Sequence, residues 1–317
     1  MNSDTPVVLC AADNRYSMPL AVMLRSLADN LAEGGSVAVW VLHGGMSLRN
    51  RWRITRFLPS NTISVHWVRV NKALLSTMPV FGHVSLATYF RLLMPYVLPR
   101  EIHKAIYLDV DLVVKGDINE FWQEKSITRY SLMAIEEPKW SSHESRDHRV
   151  ELGMNPDNMY FNAGVLLVNL DEWRRLDIPN LVMKFLNDKK AIIKWHDQDG
   201  LNAVLEGQWG RIGVEWNTRV DPHSPVSDPL GLLTKAKIIH YASAVKPWSY
   251  FARNPDVQLF YQYLDRTAWK GWRPRRPWRM TIGNRYWYGG MVRRLPVVGA
   301  FWEGFRRKDT STRERGT

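Results

Sequence analysis

The chain has 317 residues, of which 45% are hydrophobic and 23% are charged, values typical of a globular protein with one large domain or two smaller ones. This composition excludes a disordered chain, a collagen-like chain and a protein made mainly of membrane spans. Because Cys10 is the single cysteine, an intramolecular disulfide and any multi-cysteine zinc or iron–sulfur site are also excluded.

The net charge of +12 is concentrated at one end of the chain. Residues 266–317 contain 14 lysines and arginines against three acidic residues, whereas residues 1–265 contain 29 basic and 28 acidic residues. We therefore predict a near-neutral body over 1–265 and a strongly basic extension over 266–317. The apolar run at 7–12 is too short for a signal peptide, and no apolar run reaches about 18 residues, so we expect a cytoplasmic protein without a membrane span.

Short apolar runs alternate with helical patterns along the body. Strands are predicted at residues 7–12, 37–42, 63–68, 104–114, 131–135, 163–169 and 237–241. Helices are predicted around residues 20–27 and at 47–57, 86–96, 178–186 and 197–205, and long surface loops at 137–158 and 221–229. The alternation indicates an α/β protein with a mixed, mostly parallel sheet flanked by helices, in which ligands bind at the carboxyl ends of the strands.

The most informative strand is predicted at 104–114, where Asp109 and Asp111 interrupt a run of apolar residues. Side chains two positions apart on a strand project to the same side, so the two carboxylates are expected to lie close together. Adjacent carboxylates repel each other unless a cation lies between them, which favours a metal site over a capping role for one of them. A divalent metal there can bind a diphosphate and stabilise it as a leaving group.

His240, at the end of the last predicted strand, is the candidate third metal ligand, although a buried histidine with an ordinary core role is the alternative. One imidazole with two carboxylates suits Mn²⁺ better than Mg²⁺, which prefers oxygen ligands, and Mg²⁺ stays possible.

Two other functions compete with a diphosphate-binding enzyme. An apolar strand followed by Asp-x-Asp also fits haloacid-dehalogenase-type phosphatases, with Asp109 as nucleophile and Asp111 as acid/base. The late position of the motif and the lack of a second paired-acid motif count against this alternative. A catalytically inactive protein that binds a membrane surface is the third interpretation, against which the intact Asp109, Asp111 and His240 count.

Several segments together resemble the retaining glycosyltransferases of family 8, the group that contains glycogenin and bacterial lipopolysaccharide galactosyl- and glucosyltransferases. The segments are AAD at 11–13, HVSLATYFRL at 83–92, YLDVD at 107–111, FNAGVLLVNL at 161–170, WR at 173–174, HDQD at 196–199 and HYASAVKPW at 240–248. Each segment alone is a weak signal, but their common order over about residues 7–250 is a strong one.

This resemblance implies a GT-A-type fold, a UDP-sugar donor, Mn²⁺ and retention of configuration at the anomeric carbon. It places Asp109, Asp111 and His240 at the metal and Lys246 at the diphosphate. The remaining residues that it implies for binding the donor are Ala11, Asp13, Tyr16, Arg91 and Asn162. It implies Asp197 and Gln198 as the catalytic residues, at the donor sugar and the anomeric carbon.

Two of these residues have structural alternatives. Asp13 either accepts a hydrogen bond from the uracil N–H or serves as a turn residue, and Asp197 either binds sugar hydroxyls or caps a helix. Because the amide of Gln198 is a poor nucleophile, we expect a same-face reaction, in which the acceptor hydroxyl enters from the side that UDP leaves.

The basic extension over 266–317 interleaves its cations with tryptophans. This combination favours contact with an anionic membrane surface over a merely solvated segment, and nucleic acid is the least favoured partner. We therefore expect a glycan or glycolipid acceptor, and a protein peripherally associated with the inner face of the membrane.

Overall fold

A computed structural model of the chain describes residues 5–80, 85–137, 146–228 and 231–276. Its strands are β1 (Val7–Ala12), β2 (Val37–His43), β3 (Ile63–Arg69), β4 (Lys104–Leu108), β5 (Leu112–Val114), β6 (Leu132–Ala134), β7 (Val165–Asn169), β8 (Trp209–Arg211), β9 (Thr218–Arg219) and β10 (Ile238–His240). Its α-helices are α1 (Ser17–Asp29), α2 (Leu48–Thr55), α3 (Met94–Val97), α4 (Ile118–Trp122), α5 (Arg146–Leu152), α6 (Leu170–Arg175), α7 (Ile178–Asp188), α8 (Asp197–Val204) and α9 (Gln258–Leu264).

The main sheet has seven strands in the order β3-β2-β1-β4-β7-β6-β8. Strands β3, β2, β1 and β4 are parallel, β7 runs antiparallel to β4 and β6, and β8 is parallel to β6. The predicted mixed, mostly parallel sheet flanked by helices is thus confirmed.

Strand β1 lies at the centre of the core, and all six of its side chains are buried. Its sequence is continuously apolar, as expected for a parallel strand covered on both faces, rather than alternating between apolar and polar residues. Ten residues of the adjacent helix α1 are buried as well, so the start of the chain forms the middle of the fold.

A second, smaller sheet has the order β5-β10-β9. It packs on its own apolar cluster, in which Val113 and Ile239 meet Phe260 and Leu264 of helix α9. Val22 of α1 belongs to this cluster too, so α1 joins the two cores.

The predicted single strand at 104–114 is wrong in one respect, because it consists of two strands that belong to different sheets. Strand β4 lies in the main sheet and β5 in the small sheet, with residues 109–111 between them. The Asp109 N–H donates to the Gly164 carbonyl beside β7, and the Asp111 carbonyl accepts from Tyr241 N–H after β10. The two aspartates therefore lie at the junction of the sheets rather than on one strand.

Two further predictions need correction. The expected loop at 137–158 contains helix α5, and residues 138–145 lie outside the described part. The expected helix at 86–96 is a 3₁₀ helix at Leu86–Leu93 followed by the short α3, where Pro95 lacks the N–H that a continuous helix needs.

Residues 266–276 follow α9 and pack against the body through Trp269, which contacts both apolar clusters. The rest of the predicted extension, residues 277–317, lies outside the described residues. In the described ranges, no helix combines the length and hydrophobicity needed to cross a bilayer.

Candidate active site

The candidate site lies where the carboxyl ends of β1 and β4 meet the start of β7 and the end of β10. Ala11 comes from β1, Asp109 follows β4, Gly164 precedes β7 and His240 ends β10. This is the edge at which ligands bind in sheets of parallel strands.

Three side chains at this edge can hold a metal ion. Asp109, Asp111 and His240 each offer one ligand atom, and these atoms all lie within 4.8 Å of one another. The His240 Nε2 atom is 3.3 Å from Asp111 Oδ1 and 3.9 Å from Asp109 Oδ2. Two carboxylate oxygens and one imidazole nitrogen form a donor set that fits Mn²⁺.

Gly164 makes room for these ligands. A Cβ atom at this position would lie 2.2 Å from His240 Cε1 and 2.9 Å from Asp109 Oδ2. Any larger residue would therefore push apart the groups that converge there, so the glycine is needed for close approach.

Lys246 lies beside the three possible ligands. Its ammonium group donates to Asp111 Oδ2 and, at 3.1 Å, to the Tyr241 carbonyl. Burial works against ionisation of Asp111, but Lys246 and His240 outweigh it and hold the pKa of this carboxyl well below its usual range. A fixed cation next to the ligand set is what a diphosphate site requires.

Arg91 connects the possible metal ligands to the start of helix α8. It is 5% exposed, and its guanidinium lies 2.9 Å from Asp109 Oδ1, 2.8 Å from Asp197 Oδ2 and 4.3 Å from the centre of the Tyr107 ring. Burial opposes the charge of Arg91, but the two carboxylates prevail and raise its pKa above the usual range. The guanidinium thus fixes the separation of the two carboxylates.

Asp13 and Tyr16, two of the residues expected at the nucleoside, lie between the end of β1 and the start of α1. Asp13 accepts hydrogen bonds from the N–H groups of Arg15 and Tyr16, which is the turn role that the sequence left open. Tyr16 packs edge-on against Trp248, with ring centres 5.7 Å apart. Burial and the charge of Asp111 raise the pKa of Tyr16 to about 12, so its phenol stays neutral.

Asp197 and Gln198 begin helix α8. Asp197 is not the N-cap residue of α8, because His196 holds that position, and its carboxylate accepts from Thr88 Oγ1 at 2.6 Å. The capping alternative is therefore wrong. The Gln198 Oε1 atom accepts from Ala163 N–H at 2.9 Å, and the same side chain interacts with the buried Tyr160.

Comparison with known proteins identifies the family. The model of the glycosyl transferase family 8 matches residues 7–252, which include all the site residues described above. The chain belongs to glycosyltransferase family 8. This result confirms the resemblance in the sequence and decides against the phosphatase alternative.

Relatives of this family 8 glycosyltransferase include bacterial proteins of similar length. General stress protein A of Bacillus subtilis is 27% identical over 290 residues, covering 88% of this chain and 96% of its own. Lipopolysaccharide 1,2-glucosyltransferase of Escherichia coli is 29% identical over 230 residues, covering 70% and 67%. A crystal structure of the galactosyltransferase LgtC with donor and acceptor sugar analogues matches with a TM-score of 0.72 and 25% identity, over 82% of this chain and 96% of that one.

The family 8 site is supported by a chain of buried hydrogen bonds that starts at His240. The Asn217 Oδ1 atom lies 2.9 Å from His240 Nδ1, and Asn217 Nδ2 donates to Asn162 Oδ1 at 2.9 Å. Since Asn217 presents an acceptor, His240 Nδ1 carries a proton, and Nε2 is the ring nitrogen that faces the aspartates.

The same chain of bonds continues through the carboxylate of Glu137. Glu137 Oε1 accepts from Asn162 Nδ2 at 2.7 Å, and Arg219 pairs with Glu137 Oε2. The sequence analysis assigned Asn162 to the site but missed Asn217, Glu137 and Arg219. These residues are recognised only by contacts between positions 23 to 82 residues apart, and a local sequence pattern cannot show such contacts.

A second buried pair, also missed, holds helix α8 in place. His148 Nε2 lies 3.1 Å from both carboxylate oxygens of Asp199, which also accepts from Tyr160 OH at 2.6 Å. Burial opposes ionisation of Asp199, but these partners prevail and lower its pKa. His148 thus ties helix α5, in the segment predicted as a loop, to the helix that carries Asp197 and Gln198.

Proposed function

We propose that the chain is a metal-dependent, retaining hexosyltransferase that moves glucose or galactose from a UDP-sugar to a hydroxyl group of a glycan or lipid-linked acceptor. The observation that carries this proposal is the convergence of Asp109, Asp111 and His240 beside the Lys246 ammonium. These groups suit a metal ion and a diphosphate lying side by side, as a nucleotide-sugar donor requires.

Asp109, Asp111 and His240 are the residues that would hold Mn²⁺, with Mg²⁺ as a possible substitute. When bound, the metal would neutralise charge on the leaving diphosphate. Lys246 would bind a phosphate oxygen, and Arg91 and Asn162 would keep the ligand side chains in place. Ala11, Asp13 and Tyr16 would line the nucleoside, with Tyr16 backed by Trp248.

Asp197 and Gln198 would act on the donor sugar. Asp197 is engaged by Arg91 and Thr88, so we assign it to orienting hydroxyl groups rather than to attack. Gln198 would lie nearest the anomeric carbon. The bond from this carbon to the diphosphate breaks with its electron pair going to oxygen, the acceptor oxygen forms a bond on the same face, and its proton passes to the departing phosphate.

The acceptor proposed is a cell-surface polysaccharide or lipopolysaccharide precursor, as the name of the E. coli relative suggests. We place the transferase domain at 1–265 and the basic extension at 266–317, and propose that the extension contacts the anionic inner face of the membrane from the cytoplasm. We do not propose nucleic acid as a partner, since no nucleic-acid-binding motif accompanies the basic residues.

A panel of UDP-sugars tests this function through release of UDP with Mn²⁺, with Mg²⁺ and with EDTA. We expect release with UDP-glucose or UDP-galactose that requires the metal, and a product whose anomeric proton coupling in NMR shows retention. An inverted product would contradict the same-face reaction.

Binding of UDP separates the proposal from an inactive surface-binding protein. Mn²⁺ should raise the affinity for UDP, measured by calorimetry, in the wild type and not in Asp109→Asn. Folded protein that binds UDP neither with nor without Mn²⁺ would refute the transferase function.

A further inference from the structure

A cleft of about 420 Å³ lies between helix α2 and the segment that follows α9, and none of its lining residues belongs to the candidate active site. Three arginines of α2 and its end line one side, and Lys270 lines the other. The two sides meet where Arg53 packs over the Trp269 ring at 4.1 Å and donates to the Ala268 carbonyl, 215 positions along the chain.

Three of the four cations of this cleft, Arg49, Arg53 and Arg56, have no acidic partner among the described residues. Lys270 forms no ion pair there either, although its charge acts on nearby Asp265. Within the described ranges, no carboxylate lines the cleft. The acidic groups nearby are already engaged, because Asp29 pairs with Arg25 and Arg266, and Asp265 pairs with Arg273.

Apolar side chains of α2 and of the residues just after it are exposed in or beside the cleft. Trp52 is 56% exposed and Phe57 is 42% exposed, and the Arg56 guanidinium lies over both rings at 4.2 and 4.7 Å. Leu48, at the start of α2, is 77% exposed. Of the eight residues of α2 only Ile54 is buried, so the helix contributes little to the core.

We propose that this cleft, formed by α2 and residues 267–270, is a docking surface for the phosphate headgroups of an anionic bilayer. Unpaired cations attract the anionic lipids, and the exposed tryptophan, phenylalanine and leucine lie at the depth of the headgroups. This inference rests on the proposed membrane contact of residues 266–317 and extends it to a helix of the transferase body, so that the body itself is held at the surface.

Vesicle flotation with the full chain tests the docking surface. Vesicles are made of phosphatidylcholine alone or mixed with phosphatidylglycerol, and the variant is Arg49→Gln/Arg53→Gln/Arg56→Gln. We expect the wild type to float with the anionic vesicles only. The variant should lose partitioning by on the order of 100-fold, about fivefold for each cation removed.

A matched control removes the same charge elsewhere. Lys125, Lys189 and Lys190 are exposed and lie outside the cleft, so Lys125→Gln/Lys189→Gln/Lys190→Gln should weaken partitioning less than about fivefold in total. Trp52→Ala should weaken it severalfold even at high salt, because aromatic contact is not screened. Equal losses in both triple variants, or no loss in the cleft variant, would overturn the proposal.

Two further measurements identify the ligand. Soluble glycerol phosphate at the same phosphate concentration should not displace the protein from vesicles, and displacement would assign the cleft to a soluble anion instead. Binding of an oligonucleotide that is lost in the cleft variant, while vesicle binding persists, would also overturn the proposal.

Metal-dependent UDP release without vesicles should be unchanged in the cleft variant, so failure of the docking surface is distinguishable from failure of the transferase function.

Discussion

The candidate active site and the basic cleft use charge in opposite ways. In the site, Arg91 and Lys246 are buried or half-buried and each is paired with a carboxylate. In the cleft, Arg49 and Arg56 lie at the surface without an acidic partner among the described residues. Paired, buried charges fix atoms in place, whereas unpaired, exposed charges remain available to another molecule. Substitutions in the first region should therefore affect chemistry and folding, and those in the second neither.

The largest expected effect is on transfer when a possible metal ligand is removed. Asp111→Asn should lower metal-dependent transfer by about 10³-fold or more, because the neutral amide binds a divalent cation poorly. UDP release measures the loss, and circular dichroism checks the fold. Arg49→Gln, which removes a charge from the cleft, should keep the wild-type rate. A loss of less than about tenfold in Asp111→Asn would contradict the role of this carboxylate.

The second-largest expected difference between the two regions is in the free energy of unfolding. His148→Ala leaves the buried Asp199 carboxylate without its imidazole partner, and we expect the free energy of unfolding to fall by about 3 kcal/mol. Arg49→Gln should change it by less than about 0.5 kcal/mol. Urea unfolding monitored by circular dichroism gives both values. Equal midpoints for the two variants would show that the His148–Asp199 pair contributes nothing.

Metal affinity should respond to a residue that is not itself a ligand. Asn217→Ala removes the acceptor for His240 Nδ1–H, so the imidazole loses its fixed orientation, and we expect Mn²⁺ affinity to fall by about 10- to 100-fold. Electron paramagnetic resonance of free Mn²⁺ measures this without reference to turnover. Asn187→Ala, at an exposed asparagine of α7, is the control and should bind Mn²⁺ like the wild type.

The smallest expected effect is a shift in the pKa of His43 when Arg51 of α2 is replaced. Burial, with help from Arg51 and Arg69, lowers the pKa of His43 from 6.5 to about 4. The unfolded chain therefore takes up this proton first, and the free energy of unfolding should fall as the pH drops from 6.5 towards 4. Arg51→Gln should raise the pKa of His43, followed by NMR titration. An unchanged or lower value would show that Arg51 does not act on this ring.

The sequence predicted the fold class and the family correctly because both depend on local patterns. Continuous apolar runs such as residues 7–12 define buried strands, and the segments from 11–13 to 240–248 occur in the family's order. The structure brings Asp109, Asp111, His240 and Lys246 together, as expected, while their roles stay predictions.

The remaining features depend on contacts between distant segments. A run of apolar residues at 104–114 does not show that the chain passes from one sheet to another at residues 109–111. The polar stretch at 137–158 gives no sign that His148 finds a buried carboxylate 51 positions later. Likewise, α2 is basic in sequence, but only the fold shows that its arginines lack acidic neighbours within the described ranges.

The junction at residues 109–111 has a consequence for how the protein tolerates change. Asp109 is bonded to the main sheet and His240 belongs to the small one. The distance between these two side chains therefore depends on how the two sheets pack against each other. A cation bound there would link the two sheets and would raise the melting temperature as its concentration rises. Conversely, a smaller residue in place of Phe260, which packs in the apolar cluster of the small sheet, should shift His240 relative to Asp109 and weaken binding of the cation.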